Sequence, residues 1–342
     1  MKIAVATTVV PFAKGGARRH AGELTAALSR RGHEVDEILL PFWPDPEEMV
    51  EQMLALRLLD LTHEAELLIC LRTPSYLLRH PNKVVWFLHH HRPAYDLRET
   101  YPDPRTPHSD AIRESIYESD RLGLREARRV YAISRVVADR LREYNNLSCE
   151  VLYPAFGDAD SYHCDEYGDF IFFPSRIAPL KRQALAVEAM AYVRSDIRLV
   201  ISGKADVPEH LDRLRELVAG LGLEDRVELE GAWIDEGRKR ELYAGCLAVL
   251  YPPLGEDYGY VTTEAFAASK ALITCTDSGG PLEFVQDGRN GLVVEPEPRA
   301  LAGALDELAG DRPRARRLGE EAKRALRRLD LRWDPVVEAL TR

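Results

Sequence analysis

Short runs rich in β-branched and aromatic residues alternate with helical patterns along the chain, and this alternation constrains the fold more than any other feature. Strands that are joined through helices run parallel, and the helices then cover both faces of the sheet. The predicted strands are Lys2–Ala6, Val35–Leu40, Glu66–Cys70, Lys83–Leu88, Arg129–Ile133, Cys149–Leu152, Phe170–Phe173, Ile197–Ile201, Val227–Leu229, Leu247–Tyr251, Leu272–Cys275 and Gly291–Val294. The pattern restarts near the middle of the chain, which predicts an α/β fold with two Rossmann-like domains.

The predicted helices lie between these strands, and the pattern is interrupted once in the middle of the chain. The predicted helices include Ala17–Arg30, Arg135–Tyr144, Gln183–Val193, Glu209–Leu221, Glu236–Ala244, Val261–Ala268 and Arg299–Leu308, and residues 313–342 are also helical by pattern. Residues 153–169 are rich in Gly, Asp and Pro and have no period, which is typical of a linker. We therefore predict an N-terminal domain at 1–155 and a C-terminal domain at 156–320. Their parallel sheets are expected to face a central cleft at the carboxyl ends of the strands.

Charge and apolar content argue against several classes of protein. The chain has 342 residues, a length that suggests two domains, and a formal net charge of −10. A nucleic-acid partner is not expected, because such binders are basic over at least one domain. No apolar run reaches the roughly 20 residues that a membrane span needs. The five cysteines are dispersed and form no C-x-x-C, which is typical of reduced thiols and predicts a cytoplasmic protein.

The stretch from residue 251 to residue 294 carries most of the candidate chemistry. Glu256 is predicted to lie in a loop after a strand, and Glu264 about one turn inside the next helix, with Gly259 between them. Because Gly259 has no Cβ, a ligand can approach the start of this helix, where free N–H groups suit a diphosphate. The alternative is that Glu264 only places a charge in the first turn of its own helix.

Each half of the chain has a candidate binding feature directly after its first strand, a pair of cations in the second half and a pair of glycines in the first half. Arg176 and Lys181 come after the first strand of the second half, where they can neutralise a departing diphosphate without a metal. Gly15 and Gly16 lie between the first strand and the first helix of the chain. This pair is not part of a G-x-G-x-x-G, and either a phosphate loop or a plain tight turn fits it.

Three consecutive histidines, His89, His90 and His91, come at the end of a predicted strand. Neighbouring side chains of an extended segment point to alternate faces, so the three rings do not readily converge on one metal ion. A hydrogen-bonding role at the cleft fits them better. Asp158 and Asp160 form a D-x-D in the linker rather than after a buried strand, and we attribute this pair to chance. No metal or other cofactor is expected.

The order of four motifs resembles that of the retaining glycosyltransferases of family 4, which have the GT-B fold. The motifs are SRIAPLKR, GAWIDE, EDYGYVTTE and SGGPLE, between residues 175 and 283. The resemblance implies an enzyme that moves a sugar from a nucleoside diphosphate sugar, either a UDP-sugar or a GDP-sugar, to a hydroxyl acceptor. The acceptor is a glycan, a lipid-linked molecule or a small molecule. In this family a retaining transfer needs neither a protein nucleophile nor a metal.

Matched residue by residue, the resemblance assigns a role to each candidate. Arg176 and Lys181 would bind the donor phosphates, Glu256 the hydroxyls of the donor sugar, and Glu264 the ribose. His89 would be the active-site histidine, with His91 as the next choice. The other donor-binding residues would be Gly15, Gly16, Ser175, Trp233, Tyr258, Gly259, Tyr260 and Val261. Ser175 departs from the family, which usually has Gly before the arginine.

The resemblance also bears on the end of the chain and on other functions. Residues 321–342 are expected to form a C-terminal helix that crosses back to the N-terminal domain. The basic residues between 312 and 328 suggest contact with an anionic membrane surface, and a solvated helix face is the simpler alternative. The alternative functions are a non-catalytic nucleotide-sugar-binding protein and an epimerase or phosphorylase with the same fold.

Overall fold

The computed structural model describes residues 1–11, 16–98 and 105–342, which form two compact α/β units. Unit 1 consists of Met1–Ala155 and Arg332–Arg342, and unit 2 consists of Phe156–Leu331. Each unit contains a sheet of six parallel strands covered by helices. The predicted fold class, with two Rossmann-like sheets, is confirmed. Among the residues that the structure describes, no helix combines the length and the apolar composition that a membrane span needs.

The sheet of unit 1 is built from hydrophobic strands whose order changes direction in the middle. Its strands are β1 (Lys2–Val9), β2 (Glu34–Pro41), β3 (Leu67–Cys70), β4 (Lys83–Phe87), β5 (Arg129–Ala132) and β6 (Glu150–Val151). They lie in the order β2-β1-β3-β4-β5-β6. The chain passes from β1 to β2 toward one edge of the sheet, and from β3 to β6 toward the other edge. A crevice is therefore expected between β1 and β3, at their carboxyl ends.

The described residues of unit 1 include five α-helices. They are α1 (Gly16–Arg30), α2 (Pro46–Leu58), α3 (Pro107–Arg125), α4 (Arg135–Asn145) and α11 (Trp333–Thr341). Of these, α1 and α4 pack on the sheet. Three of the five begin at a side chain that accepts a backbone N–H of the first turn, namely Asp45, Thr106 and Ser134. Helices α2 and α3 were not among the predicted helices.

Helix α11 packs on unit 1, although unit 2 separates it in sequence from the rest of that unit. His20 of α1 lies with its ring centroid 4.4 Å from that of the fully buried Trp86. Trp333 closes the stack edge to face, 6.5 Å from Trp86. Arg31, the residue after α1, forms an ion pair at 2.6 Å with Asp334 in the first turn of α11.

The sheet of unit 2 repeats the topology of unit 1. Its strands are β7 (Phe170–Pro174), β8 (Arg198–Ser202), β9 (Val227–Glu230), β10 (Ala248–Leu250), β11 (Leu272–Cys275) and β12 (Gly291–Val294). They lie in the order β12-β11-β10-β7-β8-β9. The change of direction falls between β7 and β10, and their carboxyl ends are therefore where a ligand of this unit is expected.

Unit 2 ends later in the chain than the predicted domain at 156–320. Its α-helices are α5 (Gln183–Met190), α6 (Pro208–Gly220), α7 (Glu236–Gly245), α8 (Tyr260–Ala267), α9 (Pro298–Gly310) and α10 (Arg312–Leu329). The expected boundary at residue 320 falls inside α10. This helix ends at Asp330, which takes a left-handed conformation with φ of 49°. The segment that returns to unit 1 therefore begins at Arg332, after the end of α10.

Candidate functional site

The carboxyl ends of β7 and β10 bring two of the predicted site residues together. Lys181 lies in a short helical turn at Pro179–Lys181, five residues after Arg176. Glu256 lies in the loop between β10 and α8, and Lys181 forms an ion pair with its carboxylate. Both side chains are largely buried, with 16% and 19% of their surface exposed. The two residues were singled out separately in the sequence, and the fold makes them direct partners.

A third residue, Tyr251, completes this cluster. Its hydroxyl donates to Glu256 Oε2 at 2.9 Å and accepts from Lys181 Nζ at 3.1 Å. Burial and the neighbouring Glu256 carboxylate raise the pKa of Tyr251 well above its usual range, so the phenol stays protonated. A cation, a phenol and a carboxylate therefore share one hydrogen-bonded cluster in the crevice of unit 2, which we call the donor cluster.

The loop that carries Glu256 is held against the loop after β11. Glu256 N–H donates to Ser278 O at 2.9 Å, and Gly280 N–H donates to Glu256 O at 2.7 Å. A Cβ on Gly280 would lie 2.4 Å from the Tyr258 carbonyl oxygen. The two loops can approach this closely because Gly279 and Gly280 have no side chains.

A bidentate ion pair fixes the same two loops to the turn after β7. The guanidinium of Arg182 donates to the two carboxylate oxygens of Asp277 at 2.7 and 2.6 Å. Arg182 directly follows Lys181, and Asp277 directly precedes Ser278. The pair therefore sets the distance between the lysine and the loop that positions Glu256.

Glu264 lies on the buried side of α8, and two residues of α7 hold its carboxylate. Tyr243 Oη donates to Glu264 Oε2 at 2.8 Å, and Lys239 Nζ donates to Oε1 at 2.9 Å. Only 10% of the Glu264 side chain is exposed. These contacts orient the carboxylate, which is therefore a buried, hydrogen-bonded group and not a solvated charge in the first turn of its helix.

Helix α8 begins at Gly259, whose φ of 84° is in the left-handed region that favours glycine. A Cβ at this position would lie 3.1 Å from the Pro281 side chain. Tyr258 before it is buried, and its ring packs edge to face on Tyr260 at 4.9 Å. Val261 is half-buried in the first turn. The backbone at the predicted diphosphate site is therefore fixed by glycine and by aromatic packing.

Arg176 and Ser175 lie directly after β7 and contact the end of β8. Arg176 is more than half exposed and pairs with Asp206 at 2.5 Å. Ser175 Oγ donates to the Arg176 carbonyl at 2.8 Å. A Cβ on Gly203 would lie 2.0 Å from the Ser175 carbonyl oxygen, so the two strand ends touch there. Trp233 follows the edge strand β9 and exposes 59% of its surface.

The three histidines follow β4 in unit 1 and have different surroundings. His90 is buried, and its Nε2 lies 2.7 Å from Asn145 Oδ1. His91 is also buried, and desolvation lowers the pKa of both rings to about 4, so both are neutral. His89 is half-exposed and its Nδ1 lies 2.8 Å from the His90 carbonyl. His89 is the most accessible ring of the three, whereas His90 supports the packing of the unit.

The remaining predicted residues are in the glycine loop and the linker. Gly15 lies outside the described residues, and Gly16 is the first residue of α1. Asp158 lies 3.9 Å from Arg240. Within the ranges that the structure describes, no group of three His, Cys, Asp or Glu side chains is arranged to hold a metal ion.

Tyr251, Lys239 and Tyr243 belong to the site but were not predicted from the sequence. Lys239 and Tyr243 are four residues apart in a predicted helix, a spacing that places them on one face. That spacing was the available signal, but it does not show which residue of another element the face would meet. Tyr251 ends a predicted strand, and its contacts depend on the path of the following loop.

The second half of the chain matches a known protein family. Residues 160–325 match the family of group 1 glycosyl transferases. An exopolysaccharide phosphotransferase of Streptomyces coelicolor is 31% identical over 254 residues, which are 71% of this chain and 24% of that protein. The chain thus spans about a quarter of the length of this curated relative, and well under two thirds of the others it matches first.

Solved structures resemble the whole chain. Sucrose-phosphate synthase from Thermosynechococcus elongatus superposes with a TM-score of 0.79 at 18% identity, over 99% of this chain and 97% of that one. HepE of Anabaena, crystallised with UDP and glucose, superposes with a TM-score of 0.74 at 18% identity, over 100% and 98%. These likenesses confirm the GT-B type of fold. Residues 160–325 belong to the family of group 1 glycosyl transferases, and the chain has the GT-B fold.

Proposed function

We propose that this protein transfers a sugar from a nucleoside diphosphate sugar to a hydroxyl acceptor, with retention of configuration and without a metal. The observation that carries the proposal is the donor cluster of Lys181, Tyr251 and Glu256, formed where the strand order of unit 2 changes direction. The oriented carboxylate of Glu264 lies on the next helix. The structurally similar HepE has been crystallised with UDP-glucose, which supports a donor of this class.

Each residue of the site has a role that its surroundings favour. Lys181 exchanges the Glu256 carboxylate for a phosphate oxygen of the donor, since both are anionic acceptors of similar strength. Glu256 is then available to accept hydrogen bonds from hydroxyls of the sugar. The N–H groups at the start of α8 bind the diphosphate. Glu264 accepts from the ribose, because Lys239 and Tyr243 occupy only part of its capacity.

In the transfer the bond between the anomeric carbon and the diphosphate oxygen breaks, and the diphosphate leaves with the electron pair. The acceptor hydroxyl forms the new bond on the same face of the sugar, and its proton passes to the departing phosphate oxygen. Lys181 and Arg176 stabilise the negative charge that develops on the leaving group. His89, the half-exposed ring after β4, is proposed to contact the reacting sugar or the acceptor.

Two cationic side chains and a helix start supply the charge that a divalent ion supplies in other transferases. This is the basis for proposing a metal-independent reaction. The proposed donor is a UDP-sugar or a GDP-sugar, and the acceptor is a glycan, a lipid-linked molecule or a small molecule. The alternatives are a protein that binds nucleotide sugars without catalysis and an epimerase or phosphorylase of the same fold.

The test is incubation with a panel of UDP-sugars and GDP-sugars, with and without a chelator, followed by measurement of the nucleoside diphosphate released. The proposal expects release with one donor, unaffected by the chelator and strongly reduced in Lys181→Ala. A donor that raises the melting temperature but is never cleaved would instead identify a binding protein. The anomeric configuration of the product, measured by NMR, decides between retention and inversion.

A further inference from the structure

Helix α10 carries a stripe of arginines that the proposed transfer does not use. Its positions are Arg314, Arg317, Arg324 and Arg328, with Glu321 in the middle. The spacing of three and four residues places all five on one face of the helix, over about 21 Å. The chain as a whole is acidic, with a net charge of −10, so a stripe of this kind is a local exception.

The carboxylates beside this stripe are fewer than the guanidinium groups. Arg324, Arg328 and Arg289 all contact the single carboxylate of Glu321, at 2.8, 2.8 and 3.4 Å. Hydrogen bonds from Arg328 and Arg324 lower the pKa of Glu321 to about 2. Glu321 therefore remains charged at any ordinary pH, and three cations share its one negative charge.

The other end of the stripe has a second excess of positive charge. Arg314 pairs with Glu307 at 2.6 Å. Arg317, one turn further along the helix, is exposed and has no ion pair or hydrogen bond to a side chain among the described residues. Arg289 reaches this region from the loop before β12 and is held by Gln286 at 2.9 Å.

These side chains surround a concave surface rather than a flat helix face. Arg289, Arg314, Arg317 and Glu321 line a cavity of about 450 Å³ together with Gly288 and Leu318. Three guanidinium groups and one carboxylate thus face one cavity, which is large enough for a phosphorylated sugar or a lipid headgroup. Guanidinium is the side-chain group best suited to bind phosphate, because its planar fork makes two parallel hydrogen bonds.

The cavity is distinct from the donor cluster. Arg289 precedes β12 and so lies at the amino end of that strand, whereas Arg176 and Glu256 follow β7 and β10 at their carboxyl ends. All strands of this sheet are parallel. The cavity therefore lies at the amino ends of the strands of this sheet, and the donor cluster lies at their carboxyl ends.

We propose that the cavity between the loop before β12 and helix α10 is a second anion site, which binds a phosphate-bearing ligand through Arg289, Arg314 and Arg317. The ligand is either a free phosphorylated molecule or the headgroup of an anionic lipid, and the recognition chemistry is the same in both cases. The site is independent of the proposed transfer, because it shares no residue with the donor cluster.

Isothermal titration of the whole protein with pyrophosphate, at about 0.15 M salt, tests the soluble ligand. Pyrophosphate is also expected to bind at the donor cluster, so the measurement uses Lys181→Ala as the background. In this background Arg317→Gln and Arg289→Gln are expected to weaken the remaining binding at least tenfold. Arg316→Gln is the matched control, since Arg316 lies on the same helix but pairs with Glu320 outside the cavity.

Sedimentation with vesicles tests the lipid source, with phosphatidylglycerol vesicles compared with phosphatidylcholine vesicles at the same salt concentration. Binding only to the anionic vesicles, lost in Arg317→Gln and kept in Arg316→Gln, would identify a lipid headgroup as the ligand. The proposal is overturned if neither pyrophosphate nor anionic vesicles bind to the Lys181→Ala protein. It is also overturned if Arg316→Gln weakens binding as much as Arg317→Gln, since that result indicates a non-specific effect of charge.

Discussion

At the scale of single residues, the two glutamates of the site differ in what holds them. Glu256 is held by Lys181 and Tyr251, groups that a bound donor would compete for, whereas Glu264 is held by Tyr243 and Lys239 inside the unit. The first is therefore suited to change partners during a reaction, and the second to present a fixed acceptor. This difference leads to opposite expectations for their variants.

Replacing Glu256 by Ala is expected to lower kcat by at least a hundredfold while a nucleoside diphosphate still binds, because the lost contacts involve the sugar and strengthen in the transition state. Replacing Glu264 by Ala is expected to weaken nucleoside diphosphate and intact donor alike, because both contain the ribose. Calorimetric titration with the diphosphate, combined with initial rates, measures both effects. The assignment is reversed if the nucleotide is lost in Glu256→Ala and kept in Glu264→Ala.

Tyr251 contributes a hydroxyl that both Lys181 and Glu256 contact. Replacing it by Phe keeps the ring in the core and removes only this shared hydrogen bond. A hydrogen bond to a charged group contributes roughly 1.5–3 kcal/mol, so we expect kcat to fall about tenfold or more. The affinity for nucleoside diphosphate is expected to stay near that of the parent.

Tyr192→Phe is the control for this variant, because Tyr192 is exposed and its ring stacks on Arg299, away from the donor cluster. Rates of the two variants under saturating donor provide the comparison. If Tyr251→Phe transfers sugar as fast as Tyr192→Phe, the hydroxyl has no part in positioning Glu256.

At the scale of elements, the loops after β10 and β11 are expected to move together, because their backbones are in contact. Replacing Gly280 by Ala would place a Cβ 2.4 Å from the Tyr258 carbonyl and 2.7 Å from its Cα. Both neighbours are backbone atoms, so the loop must move, and Glu256 moves with it. We expect at least a tenfold loss of transfer and a lower melting temperature.

Gly303→Ala is the matched control for this substitution. Gly303 lies inside α9, where an added Cβ meets nothing within 4 Å. Alanine there is expected to stabilise the protein by roughly 0.5–1 kcal/mol, because glycine is a poor helix former. Thermal melts of the two variants should therefore shift in opposite directions, and equal shifts would show that the loop contact is not tight.

The elements themselves could largely be predicted from the sequence, with two exceptions in unit 1. Each predicted strand is present, although β1 extends three residues further than expected. Helix α3 was missed because Asp120 occupies its buried face between Ile116 and Leu124 and interrupts the apolar period. Helix α2 was missed because it exposes Leu54 and Leu58.

The site was less predictable than the elements, for a physical reason. Residues on the same loop or helix can be related by spacing, and this is how Glu256, Glu264, Arg176 and Lys181 were identified. Contacts between elements that are distant in sequence, such as that between Lys181 and Glu256, depend on loop paths that no local pattern encodes. The partners of Glu264 on α7 are of the same kind.

At the scale of the whole molecule, unit 1 contains four buried groups whose pKa values are shifted within the mildly acidic range. Burial lowers the pKa of His20, His90 and His91 from 6.5 to about 4. Burial also raises the pKa of Asp120 from 3.8 to about 6, in opposition to the hydrogen bonds from Tyr76 and Tyr95. These shifts predict how the stability of this unit depends on pH.

Between pH 6.5 and pH 4 the unfolded chain takes up protons on three histidines that remain neutral in the folded unit. Stability is therefore expected to fall as the pH falls through this range. Asp120 acts in the opposite sense between pH 6 and pH 3.8, because the folded unit binds its proton more tightly. Three groups outweigh one, so the urea midpoint of unit 1 should be lower at pH 5 than at pH 7.5.

Asp120→Asn provides an internal check on this prediction. The variant removes the group that opposes the histidines, so its midpoint should fall more steeply with pH than that of the parent. Both proteins are followed by tryptophan fluorescence, for which the buried Trp86 of unit 1 is a suitable reporter. Equal midpoints at pH 5 and pH 7.5 in the parent would contradict the assignment of the histidines as neutral groups.

The position of α11 has a consequence for how the protein is made. Residues 156–331 form unit 2 as one continuous segment, but unit 1 needs the residues from 332 onwards to cover His20 and Trp86. During synthesis the chain leaves the ribosome from the N-terminus at about 5–20 residues per second. The first unit to be translated is therefore the last to be completed, and its unfinished surface must stay soluble while unit 2 is being made.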